Sequence, residues 1–183
     1  MREMTRPPIE LSIERSWREV AAIDDAYSRG ESDAAGWHQR IAALLVPAYL
    51  AGADPRAQSG YTGTAEEREQ ARSLVADAIP RGGTFLDIGC ASGLLMESVR
   101  AWCAQRGASV EPYGLEIAPE LPALARSRLS GWADRIFDGN GAVWIPPAPF
   151  DFVRTGHDYV PPDRRSALME ELTRRVRPRG RAQ

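Results

Sequence analysis

The stretch Phe85–Gly93, FLDIGCASG, decides the fold of this 183-residue chain. A short apolar run ends in Asp87 and Gly89, and helical periodicity begins after Gly93, which is the pattern of a buried strand that turns sharply into a helix. Gly89 allows the backbone to make the turn, and Gly93 allows the helix start to lie close to a ligand. Free N–H groups at such a helix start favour a negative or polar ligand group. The end of this strand is therefore a candidate site, with Asp87 pointing into the crevice.

Strands and helices alternate from this stretch toward the C terminus. Apolar runs over 84–89, 110–117, 135–137 and 150–156 predict four strands. Residues with helical spacing separate the first three runs, and a last helix, opened by Pro161-Pro162-Asp163, follows the fourth. Strands that alternate with helices of this length indicate parallel βαβ units and an α/β fold.

The N-terminal residues are predicted to be helical. Apolar side chains recur at intervals of three and four over about 9–27, with Trp17 in the stripe, and again over about 33–50, with Trp37 in the stripe. Both tryptophans are therefore expected in a core.

A third helix begins at a capping box. Glu67 follows Thr64 by three residues, so the Thr64 side chain can accept from the Glu67 amide while Glu67 reaches back. This helix start is the expected domain boundary, with an N-terminal helical cap or lid over 1–63 and the core over 64–183.

Composition and charge limit the classes of partner. The chain has 23 basic and 25 acidic side chains and a formal net charge of −2, which argues against nucleic acid or an anionic membrane surface. No apolar run approaches the roughly 20 residues of a membrane helix, and the first residues lack the apolar stretch of a secretory signal. Cys90 and Cys103 make neither a disulfide framework nor a metal-ligand pattern. The sequence therefore predicts a cytoplasmic protein without a metal site.

The glycine spacing after the first strand distinguishes between two cofactors. An NAD site has G-x-G-x-x-G, whose middle glycine makes room for a pyrophosphate, whereas Gly89 and Gly93 enclose Cys90-Ala91-Ser92. Glu116, at the end of the second predicted strand, is placed to accept from both hydroxyls of a ribose. The combination predicts a nucleoside without a pyrophosphate and leaves an NAD-dependent oxidoreductase as the alternative.

Four motifs in this order resemble a known family. FLDIGCASG, YGLEIAPE, RIFDGN and FDFVRTG are similar to the motifs of the class I S-adenosylmethionine-dependent methyltransferases, and the resemblance covers roughly residues 71–181. It implies a Rossmann-like, mostly parallel sheet in three α/β/α layers with the strand order 3-2-1-4. It also implies S-adenosylmethionine as the cofactor and methyl transfer to a small molecule.

The resemblance assigns cofactor-binding roles to individual positions. Asp87 and the glycine turn would surround the amino-acid end of the cofactor, and Glu116 would take the ribose hydroxyls. Asp138 would hydrogen-bond the adenine amino group, Thr155 would border the transferable methyl, and Tyr61 would close an N-terminal lid. The full set is Tyr61, Asp87, Gly89, Cys90, Ala91, Gly93, Glu116, Ile117, Asp138, Gly139 and Thr155.

His157 is the candidate catalytic residue. It directly follows the fourth predicted strand, where substrate-facing groups gather in open α/β sheets. An imidazole there can take a proton from a hydroxyl or amine nucleophile near neutral pH, and a loop histidine without a catalytic role is the alternative. Cys90 is expected to be a small buried residue beside the cofactor rather than a nucleophile.

The C-terminal segment predicts an incomplete core. The family sheet has seven strands, and Arg177-Pro178-Arg179-Gly180 resembles the turn that leads into strand five. We therefore expect the chain to stop after the fourth strand and its helix, with strands five to seven missing and the fourth strand exposed at an edge. Such an edge favours self-association. A non-catalytic, methyltransferase-like binding protein is the third functional hypothesis.

Overall fold

A five-stranded parallel sheet forms the centre of the computed structural model, which describes the backbone of residues 8–182 and the side chains of residues 16–156 and 158–178. The strands lie in the order β3-β2-β1-β4-β5, and each neighbouring pair is parallel. The predicted α/β class and the order 3-2-1-4 are confirmed, with one strand added. The strands are β1 (Gly83–Ile88), β2 (Val110–Glu116), β3 (Ile136–Asp138), β4 (Phe150–Arg154) and β5 (Val176–Ala182).

Helices cover both faces of the sheet. The α-helices of the described residues are α1 (Pro8–Ser28), α2 (Ala34–Leu50), α3 (Ala65–Asp77), α4 (Leu94–Gln105), α5 (Glu120–Arg128) and α6 (Arg165–Arg175). Phe85 packs with Val99 of α4, whereas Leu86 packs with Leu172 of α6. Because successive strand residues point to opposite faces, β1 is buried on both sides, and the predicted three layers are confirmed. None of the described helices has the length and apolar character needed to cross a membrane.

The C-terminal segment forms a strand where the sequence predicts a turn. β5 pairs with β4, so the prediction that the core stops after the fourth strand is wrong. The register shifts from the pair Phe150–Val176 to the pair Phe152–Arg181, which gives β5 more residues than β4 over the same length. A strand that is rich in arginine and contains proline and glycine has low strand propensity, and pairing with β4 overrides it.

The position of β5 also removes the predicted surface for self-association. β4 lies between β1 and β5, so its backbone groups are paired on both sides. The expectation of an exposed fourth strand is therefore wrong, and the physical basis for association through that strand is lost.

The chain divides into two compact units between Leu45 and Val46, inside α2. In the first unit, Trp37 is buried and its indole Nε1 donates to Asp24 Oδ1 at 2.8 Å, which confirms its predicted place in a core. Trp17 is 68% exposed, and its predicted place in a core is wrong, because periodicity identifies a helix face but not what covers it. The cap over 1–63 stays a prediction.

The predicted capping box is present at the start of α3. Thr64 Oγ1 accepts from the Glu67 amide at 3.1 Å, and Glu67 Oε2 accepts from the Thr64 amide at 2.7 Å. We expect Thr64→Ala to lower the free energy of unfolding by about 1 kcal/mol, because the substitution leaves a helix N–H without its partner. Chemical denaturation measures the change. The exposed Thr62→Ala, two residues before the cap, is the matched control, and an equal loss in both variants would contradict the role of the cap.

Candidate functional site

The carboxyl ends of β1, β2 and β4 meet at one edge of the sheet. The chain order reverses between β1 and β4, and ligands of open α/β sheets bind in the crevice at this switch point. The strands end here in Asp87-Ile88, Glu116 and Arg154, respectively. The site therefore brings together two acidic side chains and one basic side chain from segments far apart in sequence.

The turn after β1 has an unusual backbone. Gly89 has a φ of 79° and Gly93 a φ of 73°, and between them Ala91 has a φ of 46°. Positive φ is uncommon for a residue with a side chain and is found where surrounding contacts enforce it. Here the Ala91 amide donates to Glu116 Oε2 at 3.1 Å, so the acidic residue at the end of β2 holds the turn after β1.

Glu116 is a buried carboxylate that binds backbone amides with both oxygens. Its side chain accepts from Ala91 through Oε2 and from the Ile117 amide through Oε1 at 2.8 Å, and the residue is 6% exposed. Burial raises the pKa of Glu116 above its ordinary value, and these amide hydrogen bonds oppose the shift. Because a carboxylate has about four acceptor positions, the group retains capacity for further donors.

Asp87 and Arg154 form a buried ion pair across β1 and β4. Arg154 Nη1 lies 3.1 Å from Asp87 Oδ1, and the two side chains are 15% and 1% exposed. Burial raises the pKa of Asp87, while the charge of Arg154 opposes the rise. Burial acts to lower the pKa of Arg154, but Asp87 and Tyr159 outweigh it, and the net shift is upward. The guanidinium therefore stays charged and holds Asp87.

Tyr159 stands over the glycine turn. Its hydroxyl donates to the Gly89 carbonyl at 3.0 Å, and a Cβ at Gly89 would collide with the Tyr159 ring. Burial raises the pKa of Tyr159, so the phenol keeps its proton and remains a donor. Gly89 is thus required here both for its positive φ and for the approach of an aromatic ring.

Two small cavities share Gly89 and Tyr159 in their walls. One, of about 20 Å³, lies against Glu116 and the loop after β3, and the other, of about 50 Å³, lies against Asp87. Because one water needs roughly 10–15 Å³, these cavities are large enough for water but too small for a nucleoside. Tyr159 is the side chain common to both walls.

The cavity beside Asp87 is rich in arginine. Its wall includes Arg68, Arg72 and Arg154 together with Tyr61. Arg68 is only 8% exposed, and its Nη1 donates to the neutral Ser98 Oγ at 3.1 Å. Burial lowers the pKa of Arg68, and the neighbouring Arg72 adds to the effect. A buried guanidinium that donates to a neutral hydroxyl is suited to an incoming anion.

Comparison with solved structures identifies this fold. SpnF, described as a [4+2]-cyclase, has a TM-score of 0.53 at 18% identity and covers 75% of this chain and 53% of that chain. This likeness concerns the fold, in which the strands of this chain lie in the order β3-β2-β1-β4-β5. This chain has a Rossmann-like α/β fold.

Two further solved structures are similar to this chain. A methyltransferase from Thiobacillus denitrificans in complex with S-adenosylhomocysteine has 16% identity and a TM-score of 0.49, covering 75% of this chain and 53% of that one. The amino pentose methyltransferase CalS10 from Micromonospora echinaspora, with S-adenosylmethionine bound, has 21% identity and a TM-score of 0.45, covering 66% and 50%. The chain spans about half the length of each of these solved proteins. No protein-family model matches it, and no curated protein matches it in sequence.

Most residues predicted for the methyltransferase cofactor lie around the two cavities. Glu116, Ile117 and Gly139 line the smaller one, and Gly89 belongs to both. Tyr61 is in the larger cavity, and so are Asp87, Cys90 and Ala91. Their roles in binding stay predictions.

Other predicted residues have different surroundings. Asp138 is half exposed and pairs with Arg126, with 2.7 Å between Oδ2 and Nη2. A Cβ at Gly93 would lie 2.7 Å from Leu129, so this glycine allows α4 and the residues after α5 to approach. Thr155 Oγ1 lies 3.4 Å from the Gly156 carbonyl. The His157 side chain lies outside the described residues, and its backbone is in a short 3₁₀ turn.

Cys90 is buried, as expected, with 3% exposure. Burial raises its pKa well above the ordinary value, and the nearby Asp87 and Glu116 add to the rise. A protonated, buried thiol is a poor nucleophile. In the described residues, no group of three or more His, Cys, Asp and Glu side chains gathers as metal ligands would.

Sequence reasoning missed two side chains of the site, Arg68 and Arg154, and placed Tyr159 beside His157 after the fourth strand without its contact to Gly89. A signal for Arg68 exists, since it shares a helical stripe with Val75 and Ile79 and so places a charge on an apolar face. Arg154 pairs with a residue 67 positions away, and a pairing at that separation leaves no local pattern.

Proposed function

We propose that this chain binds S-adenosylmethionine and transfers its methyl group to a small molecule. The observation that carries the proposal is the buried Glu116 carboxylate, which joins the end of β2 to the strained turn after β1. An acid at this position of a Rossmann-like sheet accepts from a ribose diol. The fold and the four ordered motifs support the same cofactor.

The residues present fit each part of this cofactor. Glu116 retains acceptor positions for the ribose hydroxyls. Because Gly139 and Gly141 lack side chains, the loop backbone lies close to Leu115 and Ile88, and the adenine would bind against these apolar side chains, bordered by Ile117. At the other end, Asp87 would take the ammonium and Arg68 the carboxylate of the amino-acid group.

The chain's own residues have few chemical tasks in methyl transfer. Bound S-adenosylmethionine supplies an activated methyl group with a neutral leaving group. The protein must exclude water and hold the acceptor in line with the methyl carbon. Thr155 and Gly156 follow β4 and would border this position, and His157 is the proposed base for an acceptor that must lose a proton.

We also propose a cytoplasmic location. Cys90 and Cys103 are free and buried, as is usual for thiols in a reducing compartment.

Calorimetric titration of the full chain tests the proposed function. We expect heat of binding with S-adenosylmethionine and S-adenosylhomocysteine and none with NAD, because Cys90-Ala91-Ser92 replaces the glycine that a pyrophosphate requires. Binding of NAD without a response to either sulfur compound would favour an oxidoreductase. Binding of S-adenosylmethionine without methylation across a broad substrate screen would favour the non-catalytic binding protein.

We expect Tyr159→Phe to tighten S-adenosylhomocysteine binding about threefold to tenfold. The substitution removes the hydroxyl that donates to Gly89 at 3.0 Å, and a hydrogen bond of this kind stabilises by about 1 kcal/mol. If this bond holds the ring over the turn in the ligand-free protein, its loss favours the conformation that admits the cofactor. Tyr113→Phe, on β2, is the control. Weaker binding to Tyr159→Phe would show that the hydroxyl serves the bound state instead.

A further inference from the structure

Arg154 is a cation held at the place where a methyl acceptor would enter. It is the last residue of β4, and its side chain is 15% exposed. Its acidic partner among the described residues is Asp87, with 3.1 Å between Nη1 and Oδ1, and Tyr159 lies beside both. The carboxyl ends of the strands are where substrates bind in open α/β sheets, so Arg154 is at the mouth of the proposed reaction site and not on a remote surface.

The cavity around this residue has an excess of positive charge. Its wall contains one acidic residue, Asp87, and three basic residues, which are Arg68, Arg72 and Arg154. S-adenosylmethionine carries a sulfonium, an ammonium and a carboxylate, so its binding adds one further positive charge. A neutral or cationic acceptor would leave this excess uncompensated in a partly buried site, whereas an anionic acceptor would reduce it.

Cofactor binding and the Asp87–Arg154 pair involve the same carboxylate. The proposed function places the cofactor ammonium at Asp87, whose Oδ1 already lies 3.1 Å from Arg154 Nη1, so the single negative charge of Asp87 would then serve two cations. A mostly buried guanidinium without a full counter-charge is unfavourable. The cofactor carboxylate does not compensate Arg154, because the buried Arg68 is the cation assigned to it.

We infer that the methyl acceptor is a small acid, and that its negatively charged group pairs with Arg154 when the cofactor ammonium shares Asp87. The inference rests on the proposed function. Arg154 is a positioning residue in this scheme: the acidic group anchors the acceptor through a charge-assisted, bidentate contact, and the methyl group passes to another atom of the same molecule. The nucleophile's lone pair forms the new bond to carbon, the electrons of the broken carbon–sulfur bond remain on sulfur, and a proton carried by the nucleophile passes to the proposed base, His157.

Linkage between the cofactor product and a simple acid tests this inference. We expect benzoate to tighten S-adenosylhomocysteine binding by about fivefold or more, because each ligand increases the affinity for the other by the same factor. Benzamide, which has the same shape without the charge, is expected to have no effect at matched concentration and ionic strength. Calorimetry of the full chain measures the dissociation constant in each solution.

Variants of Arg154 localise the effect. Arg154→Gln should abolish the benzoate effect, Arg154→Lys should retain part of it, and Arg174→Gln, at an exposed arginine of α6, should leave it unchanged. If Arg154→Gln does not fold, the Lys variant and the wild-type comparison of benzoate with benzamide still test whether Arg154 binds the acidic group.

These measurements distinguish a failure of the proposed cofactor binding from a failure of the acidic acceptor alone. Absence of S-adenosylhomocysteine binding to the wild type would contradict the proposed function itself. Binding that responds equally to benzoate and benzamide would leave that function intact and overturn the acidic acceptor. A full benzoate effect in Arg154→Gln would also overturn the inference, since another cation would then be responsible.

Discussion

Glu116→Gln is expected to weaken S-adenosylhomocysteine binding by about 100-fold. Hydrogen bonds to a charged acceptor contribute about 1.5–3 kcal/mol each, and the proposed ribose contact contains two of them. The side-chain amide of the glutamine variant also fits the protein groups around it poorly. Both carboxylate oxygens accept from backbone N–H groups, those of Ala91 and Ile117, whereas a glutamine offers one acceptor and one donor. One of the two backbone N–H groups would therefore face the NH₂ group of the glutamine, which is also a donor.

The same strand supplies a matched control for this prediction. Glu111 lies on β2, is about half exposed and pairs with Arg135 at 3.0 Å on the surface. Glu111→Gln removes the same charge from the same strand, and we expect it to leave binding unchanged. Thermal melts of both variants separate a loss of folding from a loss of affinity. Wild-type affinity in Glu116→Gln would contradict the ribose-binding role, as would an equal loss in both variants.

The sequence predicts the cofactor half of this site because its signals are local. A strand, a turn with two glycines and a helix follow one another within FLDIGCASG, and each needs only neighbouring residues to be recognised. Glu116 comes at the end of the next strand, so its position follows from the βαβ unit alone. The capping box at Thr64 is predictable for the same reason.

The features that the sequence did not predict depend on distant contacts. Asp87 is predicted as a residue of the crevice, but its pairing with Arg154 comes from the adjacency of β1 and β4. Tyr159 reaches Gly89, a residue 70 positions earlier in the chain. Trp17 shows the opposite error, since a periodic stripe predicts burial that the structure does not provide.

β5 is the clearest case of tertiary pairing that overrides local preference. Its residues Val176–Ala182 include three arginines, a proline and a glycine, and such a segment predicts a turn. One acidic side chain explains much of the difference: Arg177 Nη1 donates to Asp151 Oδ2 at 2.7 Å. The ion pair between Arg177 and Asp151 therefore helps to hold β5 against β4, and the acidic partner is not part of the β5 sequence.

Asp151 connects three strands, and its replacement is expected to have the largest effect on stability. Its carboxylate accepts from the amide and hydroxyl of Thr84 on β1 at 2.9 and 3.1 Å. It also accepts from Arg81 at 3.1 Å and from Arg177 on β5 at 2.7 Å. We expect Asp151→Ala to lower the free energy of unfolding by about 2–3 kcal/mol, because it leaves the Thr84 amide and hydroxyl without their acceptor, while the pairs with the half-exposed Arg81 and Arg177 each contribute about 1 kcal/mol or less.

A control variant and the pH dependence make this prediction specific. Asp134→Ala removes an exposed carboxylate and should change the free energy of unfolding little. For Asp151, burial acts to raise the pKa, but the hydrogen bonds from Thr84 and Arg81 and the charge of Arg177 hold it below its ordinary value of 3.8. Since the pKa is lower in the folded state, the ionised side chain stabilises the fold above about pH 4, and this contribution is lost as the pH falls through the lowered value.

The difference between wild type and Asp151→Asn isolates that contribution, because the other carboxylates titrate in both proteins. Asparagine keeps one acceptor for Thr84 but has no charge for Arg81 and Arg177, so we expect a smaller loss than in the alanine variant. Urea denaturation at neutral pH should show a clear difference between the two proteins, and the difference should shrink as the solution is made acidic. A difference that stays constant into acid would show that the Asp151 carboxylate acts through its shape alone and that its charge does not hold β5 on the sheet.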